Sequence, residues 1–146
     1  LNIPIVYDFR RNDVEDGGEG APFVPIFHQA LTDKIPKPLA VINIGGVSNI
    51  TLITEEGLYA GDVGPGGALI DDWMQKHTGQ LYDLQGHTAA TGHIETRLVK
   101  KWLGHPFFQQ PLPKSLDRQT FYSCLEDCQN ISLADGAATL TAFTVE

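Results

Sequence analysis

Leu39-Ala-Val-Ile-Asn-Ile-Gly45-Gly-Val-Ser-Asn49-Ile-Thr-Leu-Ile-Thr54 and Gly57-Leu-Tyr-Ala-Gly-Asp62-Val-Gly-Pro-Gly-Gly67-Ala-Leu-Ile-Asp-Asp72 decide the fold. An apolar run ends in a glycine pair, and a second short strand follows at once. A third strand, expected over Leu58–Gly61, leads through a glycine-rich turn into a helix. The Glu55-Glu-Gly57 link fits an antiparallel hairpin. Glycine lets backbone pack closely against a phosphate or a sugar. A glycine turn that opens a helix also offers N–H groups to an anion. Tight turns in an ordinary α/β sheet would look the same. Asp62 separates the two readings, because it sets a carboxylate between a strand end and the glycines.

The surrounding segments fill out an α/β or α+β order: strand, loop, helix, three strands, then helices. Leu39–Ile44 is nearly continuously apolar and reads as a fully buried strand. Leu1–Tyr7 reads as a strand as well, followed by the charged run Asp8-Phe-Arg-Arg-Asn-Asp13. Open α/β sheets place ligand groups at strand C-terminal ends, so this run would orient a polar substrate; a self-paired, solvated cluster is the competing reading. Gly17-Gly-Glu-Gly20-Ala-Pro22 is a loop suited to wrapping a ligand. Pro25–Leu31 reads as a short helix whose His28 is structural. The proline-flanked connector Lys34–Pro38 is the expected domain boundary.

Further helices are expected over Ala68–Thr78, Ile94–Leu103, Gln119–Cys128 and from Ser132 to about Phe143. Gly79 stops the first, and Ser132-Leu-Ala-Asp135 resembles a capping box that starts the last. Residues 79–93 read as a polar loop and 106–115 as an extended, proline-rich segment.

Composition narrows the classes. The chain has 146 residues, a net charge of −8 and 42% apolar residues. That is enough for a core, and the acidic balance speaks against a nucleic-acid or anionic-membrane binder. No apolar run approaches the ~20 residues of a membrane span. The chain starts at Leu1 and enters a strand-like run at once, which suggests that a native start lies upstream. Cys124 and Cys128, four apart on an expected helix, read as small apolar residues on one buried face. The five histidines show no zinc spacing with them, so no metal site is expected, and a reducing, cytoplasmic compartment fits.

Five stretches in one order resemble the anhydro-N-acetylmuramic acid kinases, members of the actin-like, sugar-kinase/Hsp70 ATPase superfamily. They are Val6-Tyr-Asp-Phe-Arg-Arg-Asn-Asp13, Gly17–Leu31, Asn43-Ile-Gly-Gly-Val-Ser-Asn49, Asp62-Val-Gly-Pro-Gly66, and Pro113-Lys-Ser115 with Arg118 and Phe121. The resemblance implies a partial actin-like ATPase (ribonuclease H-like) α/β fold. Residues 1–36 would close the first lobe of a two-lobed kinase, and residues 37–146 would begin the second. It implies an enzyme that opens the 1,6-anhydro bridge with water and uses ATP to phosphorylate the freed O6. The product would be N-acetylmuramic acid 6-phosphate, in peptidoglycan recycling.

By position, Asp62 matches the base that activates the water. The helix N-terminus and N–H groups expected around it favour a carboxylate. Asp8, Arg10 and Asp13 would line the sugar or metal side of the cleft. Gly45, Gly46, Gly64 and Gly66 would let backbone approach the nucleotide. Mg²⁺ would arrive with ATP, held mostly by phosphate and water. A homodimer is also implied.

The chain departs from the family pattern at Glu19 (usually Gln), Val63 (Thr or Cys), Gly67 (Asn) and Leu116-Asp117 (Thr-Gly). Glu19 would add negative charge near the phosphates, and Gly67 lacks an amide that would orient the ligand. Neither the opening phosphate turn nor the closing adenosine turn of such kinases is recognisable, so the isolated chain is expected to be inactive. Two further readings stand beside this one. The first is another sugar or acetate kinase of the superfamily. The second is a non-catalytic piece or interaction module that keeps the fold.

Overall fold

The structure is a computed structural model, and it describes residues 3–5, 7–18, 20 and 23–146. Three strands, β1 (Leu39–Ile44), β2 (Val47–Ile53) and β3 (Leu58–Pro65), form one antiparallel sheet in the order β1-β2-β3. Two helices precede it, α1 (Phe9–Glu15) and α2 (Pro25–Leu31). Four follow: α3 (Ala68–Thr78), α4 (Thr96–Leu103), α5 (Ser123–Asp127) and α6 (Leu133–Val145). The architecture is mixed α/β.

Each hairpin forms where the turn residues place it. Gly45-Gly46 joins β1 to β2, with Ile42 opposite Ile50. Thr54 closes the second hairpin, its N–H donating to the Gly57 carbonyl at 2.9 Å. The β2–β3 register then slips: Ser48 faces Gly64 and Asn49 faces Asp62. Val63 is therefore an extra residue on β3, and such a bulge bends the strand and re-aims its neighbours.

The main core lies among the helices. Leu69, Trp73 and Met74 of α3 pack with Trp102, Phe107, Phe121, Cys124, Cys128, Leu140 and Phe143. Burying one such large side chain contributes roughly 1.5–3 kcal/mol. The Trp73 indole N–H donates to the Leu133 carbonyl at 3.0 Å, which ties α3 to the start of α6. Local signals set the helix ends. Gly79 takes a left-handed φ of 74° and its N–H donates to the Gln75 carbonyl. Ser132 Oγ accepts from the Asp135 N–H at 3.1 Å, as the capping-box reading requires. Both cysteines are buried, as expected. α2 packs on β2 and β3, and His28 Nδ1 lies 2.9 Å from Thr51 Oγ1.

Several expectations need correction. Ile3–Ile5 and Tyr7 form no strand, because no neighbour among the described residues pairs with them; Leu1, Asn2 and Val6 lie outside those residues. The charged run does not follow a strand: Phe9–Glu15 is helical. β1 is not fully buried. It is an edge strand, with Ile42 and Ile44 exposed, since among the described residues no strand pairs with its outer side.

β3 runs on to Pro65 instead of stopping at Gly61, so Asp62 stands within a strand. Residues 79–93 contain two short 3-10 turns, Leu84–Gly86 and Ala89–Thr91. The helix expected from Ile94 starts at Thr96, leaving Ile94 exposed. The expected 119–128 helix divides into a 3-10 turn, Arg118–Phe121, and α5. A further 3-10 turn, Pro106–Gln109, interrupts the segment read as extended. Among the described residues, no helix is long and apolar enough to cross a membrane.

Candidate active site

Asp62 is half-buried at the bulge of β3. Two backbone bonds fix it to a distant segment. Its N–H donates to the Lys114 carbonyl at 2.8 Å, and its Oδ2 accepts from the Leu116 N–H at 2.8 Å. Gly61 makes this approach possible: a Cβ there would lie 2.7 Å from the Lys114 carbonyl oxygen and 2.8 Å from Leu112 Cδ2. Residues 112–116 thus run flush against β3.

The other oxygen, Oδ1, accepts no hydrogen bond from the described residues. No unpartnered side-chain oxygen among those residues is sealed from solvent, so Oδ1 is open. One oxygen is held and one is accessible, an arrangement that lets a carboxylate take a proton from a positioned water. Asp62 does not cap α3. The residue before that helix is Gly67, with no side-chain cap.

The two glycine turns pack against each other. The N–H groups of Gly66 and Gly67 donate to the carbonyls of Gly46 and Gly45, at 3.0 and 2.7 Å. The Ala68 N–H also reaches the Gly46 carbonyl, at 3.3 Å. The N–H groups of Gly66, Gly67 and Ala68, which lead into and open α3, are therefore spent inside the chain. A Cβ on Gly66 would overlap the Gly45 carbonyl oxygen, whereas one on Gly64 would only touch the Phe108 ring, at 3.4 Å. Gly45 and Gly46 differ. Neither has a left-handed φ, and a Cβ on either would meet nothing nearer than 3.5 Å.

Among the described residues no hydrogen bond or ion pair joins Asp8, Arg10 or Asp13 to Asp62. Asp8, with a left-handed φ of 64°, pairs with Arg11 at 2.6 Å. Asp13 Oδ2 accepts from the Gly20 N–H at 2.6 Å and so folds the glycine loop back on α1. Arg10 is exposed on α1. Glu19 lies outside the described residues.

Charges near the Asp62 segment are ordered. Arg118 Nη2 reaches both oxygens of Asp72 on α3, at 3.0 and 3.2 Å, and Asp72 strengthens its hold on the proton. Burial, with the neighbouring Asp72 charge adding to it, raises the pKa of Asp71 above the usual carboxylate range. Lys114 Nζ donates to the Phe107 carbonyl at 3.0 Å and sits 4.3 Å over the Phe107 ring, and desolvation pushes its pKa down. Sequence reasoning missed the part played by Lys114 and Leu116. Their motif was visible, but a contact across 54 residues leaves no local signal.

The anhydro-N-acetylmuramic acid kinase family model matches residues 1–146. A protein named anhydro-N-acetylmuramic acid kinase from Gluconobacter oxydans is 48% identical over 99% of this chain and 42% of its own length. The protein of that name from Methylobacterium nodulans is 52% identical, over 99% of this chain and 39% of its own. One from Rhodopseudomonas palustris is 49% identical, over 99% and 40%. The chain thus spans about two fifths of the length of these relatives. A match along its whole length, with Asp62 held beside two interlocked glycine turns, shows that the chain belongs to the anhydro-N-acetylmuramic acid kinase family.

Proposed function

We propose that these residues form the middle of an ATP-dependent kinase that opens the 1,6-anhydro bridge of anhydro-N-acetylmuramic acid and phosphorylates O6. The observation that carries this reading is the Asp62 carboxylate, with Oδ2 fixed by the Leu116 N–H and Oδ1 open. In the proposed reaction Oδ1 takes a proton from water. The water oxygen bonds to C1 as the C1–O6 bond breaks, and O6 then takes the γ-phosphoryl group, leaving ADP. Water, sugar and ATP are all consumed once.

The glycine pair Gly45-Gly46 supports a nucleotide or sugar contact, since the chain's own packing does not require glycine at either position. Gly64 and Gly66 would shape the same wall through packing. Mg²⁺ supplies charge neutralisation on the phosphates when bound. Among the described residues no three His, Cys, Asp or Glu side chains converge, so ATP oxygens and water would provide most of its ligands. Asp8, Arg10 and Asp13 would reach the sugar once the remaining chain closes the cleft.

In this reading residues 1–36 belong to the first lobe and residues 37–146 to the second lobe of an actin-like fold, in a cytoplasmic enzyme. Two copies would pair as a homodimer.

The test uses the complete enzyme with ATP and the anhydro sugar in ¹⁸O-labelled water. The product should carry ¹⁸O on C1 and phosphate on O6. Phosphorylation without label at C1, or equal turnover of sugars lacking the anhydro bridge, would overturn the reading.

A further inference from the structure

The segment beside Asp62 is anchored on both sides of its contact with the carboxylate. Upstream, Lys114 Nζ is bound to the Phe107 carbonyl at 3.0 Å and lies over the Phe107 ring. Downstream, Arg118 grips Asp72 of α3. Between them the Lys114 carbonyl accepts from the Asp62 N–H, and the Leu116 N–H donates to Asp62 Oδ2. Phe107 is only 5% exposed and belongs to the core, so the upstream anchor is attached to a rigid part of the molecule. The Leu116 side chain is buried as well, which fixes the rotation of the peptide that carries the N–H.

We propose that Lys114 is a positioning residue for the base: by tying residues 112–116 to the Phe107 turn, it aims the Leu116 N–H that orients the Asp62 carboxylate. The proposal rests on the reading of Asp62 as the base. An ammonium half-removed from water loses hydration, and here a carbonyl oxygen and an aromatic face replace it. A surface lysine serving only solubility would keep its water. A lysine poised to meet a phosphate would point away from the core, whereas this one is turned onto a core ring.

The geometry also separates this role from simple stability. If Lys114 acts through the Asp62 carboxylate, its loss matters only while that carboxylate performs the chemistry. A purely structural lysine would cost the same factor in either background.

The experiment compares four forms of the complete enzyme: unmodified, Lys114→Met, Asp62→Asn and the double variant. Lys114→Met should lower kcat by about tenfold or more while KM for ATP and for the sugar stays within about twofold. Lys114→Arg, which keeps a cation and a donor, should recover most of kcat. In the Asp62→Asn background the same lysine change should alter kcat by less than about twofold.

Equal losses in both backgrounds, an unchanged kcat, or a raised KM for ATP at constant kcat would each overturn the proposal. Should Lys114→Met fail to fold, Lys114→Gln carries the same comparison. Near-normal kcat in Asp62→Asn alone would instead remove the base reading, so the two failures are distinct.

Discussion

Asp62 Oδ2 and the Leu116 N–H lie 2.8 Å apart, although 54 residues separate them in the chain. The carboxylate is therefore oriented by a segment that returns to β3 only after α3 and α4 have folded over the core. Its strand neighbours supply position, and the distant peptide supplies aim. The orientation of Asp62 depends on helix packing as much as on the β-hairpin that carries it.

Asp62→Asn in the complete enzyme should keep the fold, because the Asn side-chain oxygen can still accept from Leu116. It should lower kcat by 10²–10⁴-fold, roughly the value of a positioned general base, with little change in KM. Steady-state kinetics and a thermal melt check this together. A variant that melts several degrees lower yet retains near-normal kcat would make Asp62 structural and direct the search for a base to Asp13 or Asp8.

The local parts of this fold were legible because local chemistry dictates them. Ala68–Thr78 carries helical apolar spacing and a glycine stop, and the helix forms over those residues. Ser132 and Asp135 form the cap that their spacing announces. What escaped was non-local. Leu39–Ile44 reads as buried because it is apolar on both faces, yet burial needs a neighbour, and the described residues provide none on the outer edge. Asp62 was legible as a candidate from its glycine context, but the bulge at Val63 and the bond to Leu116 come from pairing across the chain. The N–H groups of Gly66 and Gly67 looked free for an anion; the carbonyls of Gly46 and Gly45 occupy them.

The two cysteines should be nearly inert in the native state. Burial, reinforced by Asp127, pushes the Cys124 thiol from an ordinary 9.0 up to about 12, and the same causes push Cys128 to about 11. For Cys128, that leaves about a hundredfold less thiolate near neutral pH than an unperturbed thiol would give. Both folded values are raised, so the stability these thiols contribute is intact below pH 9.0 and is lost as the pH rises through 11 to 12. Iodoacetamide at pH 8 should label the folded protein very slowly and the denatured protein quickly. Rapid native labelling at both positions would contradict the burial argument.

Residues 1–146 produced alone should show no useful turnover of the anhydro sugar, since they span about two fifths of their relatives' length. They should also self-associate. Ile42 and Ile44 on the edge strand are 60% and 57% exposed, and an uncovered apolar strand edge pairs with other chains. Sedimentation velocity over a range of concentrations measures this directly. A monomer that melts sharply and independently of concentration would count against the association, and robust ATP-dependent turnover would count against the rest.

Gly46 and Gly66 should respond to alanine in opposite ways, although they touch through one hydrogen bond. At Gly66 the new methyl would overlap the Gly45 carbonyl oxygen, which is backbone and cannot swing aside. Overpacking of this kind costs roughly 1–3 kcal/mol, so Gly66→Ala should lower Tm by several degrees. At Gly46 the methyl would meet only Ala68 Cβ, at 3.6 Å, and the backbone needs no glycine. Stability should hold or rise slightly, as the unfolded chain loses freedom. If a nucleotide approaches this turn, the same methyl occupies its space, and KM for ATP should rise by about tenfold or more, the equivalent of ~1.4 kcal/mol. KM for the sugar serves as the control. A Gly46→Ala enzyme with unchanged KM for ATP would remove the glycine pair from the nucleotide site and leave it a tight hairpin turn.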